Sequence, residues 1–154
     1  MPHVRLVALA LAMIAGGGAP VLASVPPPTP QEGRDFLAAN ARAPDVHVTA
    51  DGLQYRILRA GPEEGRKPGL HDQVEVRYEA HLLNGDLIDI STEPLKMRPD
   101  QLIGAWREAL TLMRPGDLWE LWTPPSLAYG DKTTGPIPGG SVLYFKIELV
   151  AVDR

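Results

Sequence analysis

Cysteine is absent from the 154-residue chain. Its absence excludes a disulfide framework and any zinc site built on thiolates. It also excludes a lipid anchor on a cysteine behind the N-terminal apolar run. Positive charge is not in excess, since 15 Lys and Arg stand against 19 Asp and Glu, for a net charge of -4. A nucleic-acid partner would call for a basic stripe, and none is encoded. The four histidines, His3, His47, His71 and His81, lack metal-ligand spacing. His47 and His71 read as solvated loop residues. No nucleophile sits in a recognisable elbow, and no glycine loop is shaped for phosphate. After the first 23 residues no segment is apolar enough to cross a membrane.

What is present begins with a secretory signal. His3 and Arg5 make a weakly basic start, and Leu6 to Ile14 is an apolar run too short to span a bilayer. Gly16-Gly17-Gly18 breaks the run, and Val21-Leu22-Ala23 offers small-residue cleavage geometry before Ser24. Removal of residues 1–23 takes away only Arg5 among the charged residues. It leaves 131 residues with 14 basic and 19 acidic side chains, a net charge of -5. That mild acidity suits a soluble protein. The length suits one domain whose core must hold unaided.

Residues 24–31 contain four prolines and favour extended polyproline geometry. Gln31 to Ala43 carries a helical pattern with a thin apolar edge of Phe36, Leu37, Ala38 and Ala41, which Pro44 stops. Such a helix is marginal on its own. From Asp51 the period changes to two. Leu53, Tyr55 and Ile57 alternate with Gln54 and Arg56. After a loop over residues 60–70, Val74, Val76, Tyr78, Ala80 and Leu82 alternate with polar residues, which is a half-buried strand. Asn84-Gly85 signals a hairpin turn. Trp106, Ala109, Leu110 and Met113 recur at helical spacing, and Arg114-Pro115-Gly116 ends that helix. Trp119 and Leu121 belong to a further strand, with Trp122 on its other face, packed rather than exposed. Leu143, Phe145, Ile147 and Leu149 mark the last strand, Ser141 to Asp153. Antiparallel strands with one substantial helix imply an α+β architecture in which the helix covers the apolar face of a single curved sheet.

Several short motifs follow one another along this frame. They are Tyr78, Ile88-Asp89-Ile90-Ser91, Leu102-Ile103-Gly104-Ala105-Trp106, Ala128-Tyr129-Gly130, Ile137-Pro138 and Leu143-Tyr144-Phe145. Each alone has a plainer reading. Trp106 and Phe145 fit a core pattern, Asp89 fits a surface turn, and Ala-Tyr-Gly is a weak tripeptide. In this joint order and spacing they resemble an FKBP-type peptidyl-prolyl isomerase, over about residues 51–152. The resemblance implies a twisted antiparallel β-sheet wrapped around one short α-helix. To this the sequence adds a short N-terminal helix. The expected domains are 1–23 signal peptide, 24–50 proline-rich tether and short helix, and 51–154 isomerase domain.

The resemblance also implies roles. Trp106 matches the floor of a proline pocket, Tyr78 and Phe145 its aromatic walls, and Leu102 and Ile103 its aliphatic lip. The Ile103 N–H and the Tyr129 hydroxyl match donors to ligand carbonyls. Asp89 matches the acid beside the pocket, and Ile137 overhangs it. No metal and no cofactor is implied. Ile88, Leu95 and Ala105 depart from the pattern, standing where phenylalanine, a second aromatic and glycine are usual. Aliphatic residues keep the pocket apolar but lose flat stacking surface, so reduced or shifted activity is expected. The implied partners are proline-containing segments of unfolded or exported proteins and rapamycin-type macrolides. Neither nucleic acid nor, after signal cleavage, membrane is expected as a partner. The expected protein is a periplasmic monomer, because one short helix is little material for the helical dimerisation region of many periplasmic relatives. A non-catalytic peptide-binding module or holdase on the same fold is the alternative.

Overall fold

A computed structural model describes residues 25–153, so the signal peptide expected over residues 1–23 lies outside the described residues. The elements in chain order are α1 (Pro30–Asn40), β1 (His47–Val48), β2 (Gln54–Arg59), β3 (Val74–Leu82), β4 (Leu87–Ile90), β5 (Leu95–Met97), α2 (Gly104–Leu112), β6 (Leu118–Thr123) and β7 (Leu143–Val152). Short 3-10 turns at Pro99–Gln101 and Pro125–Leu127 lead into α2 and out of β6. The seven strands form one antiparallel sheet in the order β1-β2-β6-β7-β3-β4, and β5 also pairs with β3. The α+β architecture expected from the sequence is the one observed.

Alternation decides which way the central strands face. Val74, Val76, Tyr78, Ala80 and Leu82 of β3 are buried, as are Leu143, Phe145, Ile147 and Leu149 of β7. Pairings such as Ala80 with Phe145 and Tyr78 with Ile147 place these side chains in adjacent rows on one face. Trp119 and Leu121 of β6 continue the face, and Ala105, Trp106, Ala109 and Leu110 of α2 cover it. The helix stops at Met113, just before Pro115 and Gly116, and Gly116 takes a positive φ of 93°. Asp117 fixes that turn, accepting from the N–H groups of Gly61 (2.6 Å) and Arg114 (3.0 Å).

Asn84-Gly85 does close a hairpin. Gly85 alone takes positive φ, its N–H donates to Leu82 O, and Leu82 N–H donates to Asp86 O. This is a three-residue loop with glycine in the left-handed position.

The outer face of the sheet carries what the alternation assigned to water. Gln54 is buried, its amide donating to Leu37 O at 2.8 Å and accepting from Asn40 at 2.9 Å. Through these bonds α1 docks on β2. The helix runs over residues 30–40, starting one residue earlier and ending three earlier than the pattern suggests. Thr29 and Glu32 form a capping box that sets its start. Gly33 rests on Val142, where an added Cβ would lie 3.0 Å from a valine methyl. The proline tether lies against the body, with Asn84 donating to Val25 O at 2.6 Å. Trp122 is packed on this face, with Arg56 over its ring at 5.5 Å and Tyr144 at 6.0 Å.

Three local expectations need correction. His47 is not a loop residue. It pairs with Tyr55 in β1, where the two rings stack at 4.9 Å and Tyr55 stacks in turn on Trp119 at 4.3 Å. Ile57 stays 43% exposed at the end of β2, beside the bulge before Arg59. Ala38, assigned to the apolar edge of α1, is exposed.

Candidate active site

Trp106 sits in the first turn of α2, 4% exposed, and the sheet brings two other rings to it. Tyr78 of β3 meets it edge-on at 4.8 Å and 78°, and Phe145 of β7 at 5.4 Å and 81°. Edge-to-face contacts place the positive edge of one ring on the negative face of the next, which fixes ring angles as well as positions.

Beside this cluster the Tyr78 hydroxyl donates to Asp89 Oδ2 at 2.6 Å, and the Ile90 N–H donates to Asp89 Oδ1 at 2.8 Å. The carboxylate on β4 is thus held by a phenol on β3. Burial, and then the bond to Asp89 and its charge, push the Tyr78 phenol far above its ordinary pKa. Tyr129 behaves similarly. Burial first, and the Asp89 charge second, push its hydroxyl up to about 12. Both phenols are therefore neutral hydrogen-bond donors over the physiological range. The Tyr129 hydroxyl and the Trp106 indole N–H are buried and have no partner among the described residues.

The loop bearing Tyr129 leaves the Pro125–Leu127 turn and is fastened by Gly130 N–H to Pro125 O and Gly140 N–H to Gly130 O, both 2.9 Å. It also touches the start of α2. A Cβ on Gly104 would lie 3.3 Å from the Leu127 side chain and 3.6 Å from its Cα, so a side chain there would crowd the approach. Ile103 precedes Gly104 with extended backbone, and no carbonyl or side chain among the described residues accepts its N–H. Leu102 and Ile103 are buried in the same core. Ile137 closes a tight turn with Thr134, and its side chain is 5% exposed.

The structure therefore draws Tyr78, Asp89, Trp106 and Phe145 together, with Tyr129 close enough to feel the Asp89 charge. Ile88, Leu95 and Tyr129 are half-buried against the same core, and Leu95 pairs with Val76. Ala105, in the first turn of α2, is fully buried. Leu127, which no motif included, and Ala128, quoted only as the neighbour of Tyr129, also pack here. The close approach to Gly104 is the signal that would have found Leu127. Among the described residues no helix is long and apolar enough to cross a membrane.

Known proteins resemble this chain in sequence and fold. The family described as FKBP-type peptidyl-prolyl cis-trans isomerase matches residues 64–150, and the domain amino terminal to it matches residues 28–57. The peptidyl-prolyl cis-trans isomerase Mip of Coxiella burnetii is 42% identical over 132 residues, covering 80% of this chain and 55% of the relative. An outer membrane protein MIP of Legionella longbeachae is also 42% identical, covering 80% of this chain and 54% of the relative. The chain thus spans about half the length of the curated relatives it matches. A crystal structure of a peptidyl-prolyl cis-trans isomerase from Pseudomonas syringae pv. tomato superimposes with a TM-score of 0.76 at 36% identity, over 90% of this chain and 100% of that one. With the family match over more than half of the chain and relatives at 36–42% identity in agreement, the chain belongs to the FKBP-type peptidyl-prolyl cis-trans isomerase family.

Proposed function

We propose that this chain is an exported peptidyl-prolyl isomerase that binds X–Pro segments of unfolded clients against Trp106. The observation that carries the reading is the closed set of contacts from Asp89 through Tyr78 and Trp106 to Phe145. Rotation about an X–Pro bond faces a barrier of about 18–20 kcal/mol in a resonant amide. The twisted transition state has lost that resonance, and its carbonyl is less polar than that of the planar amide. Apolar walls that exclude water favour the twisted form over the planar one, which is differential binding of a transition state. Trp106 supplies the floor, Tyr78 and Phe145 the walls, and Leu102, Ile103 and Ile137 the aliphatic rim. Ile88 and Leu95 shape the side nearest β4 and β5. The Ile103 N–H and the Tyr129 hydroxyl bind carbonyl oxygens of the client. Asp89 holds Tyr78 and polarises the bound amide. The protein itself supplies all of this chemistry.

Export to the periplasm follows from the signal-like residues 1–23, and folding of exported chains limited by proline is the process served. Residues 24–50 then form the tether and short helix, and residues 51–154 the isomerase domain. The protein acts as a monomer, and macrolides of the rapamycin type fit the same apolar floor.

Aliphatic Ile88 and Leu95 favour a second reading, a peptide-binding module or holdase with little turnover. Ile88→Phe separates the two. For a weakened catalyst, restoring a flat ring raises turnover on a proline peptide. Unchanged turnover with unchanged peptide affinity supports the binding module. Both readings require Trp106→Ala to weaken peptide binding, measured by titration calorimetry, and unaltered affinity would sink both.

A further inference from the structure

Strand β4 is a four-residue edge strand whose neighbour in the sheet order is β3. Its packing is thin, with Leu87 55% and Ile90 47% exposed, and its pairing with β3 shifts register between Ala80 and His81. Ile88 is the one apolar residue of β4 that packs against the core, so apolar burial only partly decides where Asp89 sits. Hydrogen bonds at the far end of β4 do more.

Ala80 pairs with Asp89 and Glu79 with Ile90. One further step in that register sets Tyr78 opposite Ser91. A hydrogen-bonded antiparallel pair exchanges two backbone bonds, but this pair exchanges only one. Ser91 N–H donates to Tyr78 O at 2.9 Å. The return bond runs from Tyr78 N–H to the Ser91 hydroxyl Oγ at 2.8 Å. The hydroxyl stands in for Ser91's own carbonyl. The chain can then turn away toward Pro94 without orphaning the N–H of the buried Tyr78. Tyr78 is consequently gripped twice by one three-residue span, at its backbone by Ser91 and at its phenol by Asp89.

We propose that Ser91 is a positioning residue, whose hydroxyl closes the last rung of the β3–β4 ladder and thereby sets Asp89 against the Tyr78 phenol. The proposal rests on the isomerase reading of the site.

The test is a double-mutant cycle on cis–trans exchange of a proline peptide. It compares the wild type, Ser91→Ala, Ser91→Thr, Tyr78→Phe and the Ser91→Ala/Tyr78→Phe pair. Loss of one hydrogen bond's worth of positioning should lower kcat/KM about three- to tenfold in Ser91→Ala, through kcat more than KM. Ser91→Thr, which keeps Oγ, should retain wild-type turnover. In the Tyr78→Phe background Ser91→Ala should cost little further, because the pair it positions is already broken. An active wild type indifferent to Ser91→Ala, an equal loss in both backgrounds, or no rescue by threonine overturns the positioning role. An inert wild type overturns the isomerase reading instead, and the catalytic consequence falls with it. If Ser91→Ala shows no folding transition, Ser91→Cys, whose thiol is a poorer acceptor, replaces it in the same cycle.

Discussion

Tyr78 and Tyr129 carry the same hydroxyl in opposite circumstances. That of Tyr78 is spent on Asp89 at 2.6 Å, whereas that of Tyr129 is buried and unpartnered among the described residues. Tyr78→Phe should therefore destabilise the fold by about 1–2 kcal/mol, the worth of a hydrogen bond to a charged group that remains half-exposed. Tyr129→Phe should leave stability unchanged or raise it by about 1 kcal/mol, since it removes a buried polar atom with no bond to lose. Turnover should nevertheless fall in Tyr129→Phe, if the hydroxyl binds the client. Urea melts beside peptide exchange rates check the contrast. A large loss of stability in Tyr129→Phe would assign its hydroxyl a structural role. The pH dependence follows from the raised phenol. Tyrosine in an unfolded chain titrates near 10, and Tyr129 in the fold at about 12. Below about pH 10 both states are protonated and the stability tied to Tyr129 is complete. Above it the unfolded chain ionises first, so stability falls as pH rises through the folded value. The stability difference between wild type and Tyr129→Phe should be flat from neutral pH to about 10 and then shift against the wild type. Urea melts across that range measure it.

Among the elements, α1 is held by its cap, two side-chain bonds and the seat of Gly33 on Val142. Thr29→Ala removes half of the capping box and should cost about 1 kcal/mol. The loss should appear as faster amide exchange over residues 33–40 with β3 and β7 unaffected. Equal acceleration in the sheet would mean that α1 and the sheet unfold as one unit. The same helix shows where the sequence was legible and where it was not. The β3, α2 and β7 patterns were readable because each element buries one face, and periods of two and 3.6 report a buried face directly. Gln54 alternates as a wet residue, and its burial depends on α1 folding back over β2, which no local period encodes. Two-residue β1 is too short to carry a period, and His47 is held there by stacking on Tyr55. The helix at Gly104 was legible from its spacing, and Trp106, Ala109 and Leu110, which carry that spacing, are its buried residues together with Ala105.

Across the whole molecule, the site gathers residues from β3, β4, the start of α2, the loop after β6 and β7. Their order along the chain was visible in the sequence, and so was the FKBP-type pattern they make. The Tyr78–Asp89 bond and the Ser91 rung were not visible, because both depend on pairing register across the 83–86 turn and its bulge. Sedimentation equilibrium of residues 24–154 should return a monomer mass independent of concentration, and a concentration-dependent dimer would contradict the monomer proposed from the single short α1. The central claim is that this cluster rotates prolyl bonds. Its most direct test is the cis-to-trans exchange rate of an Ala-Leu-Pro-Phe peptide with the wild type, Asp89→Ala and Tyr129→Phe. Acceleration by the wild type that falls in both variants is the predicted result. No acceleration from a wild type shown to be folded would contradict it and leave a peptide-binding module on an isomerase fold.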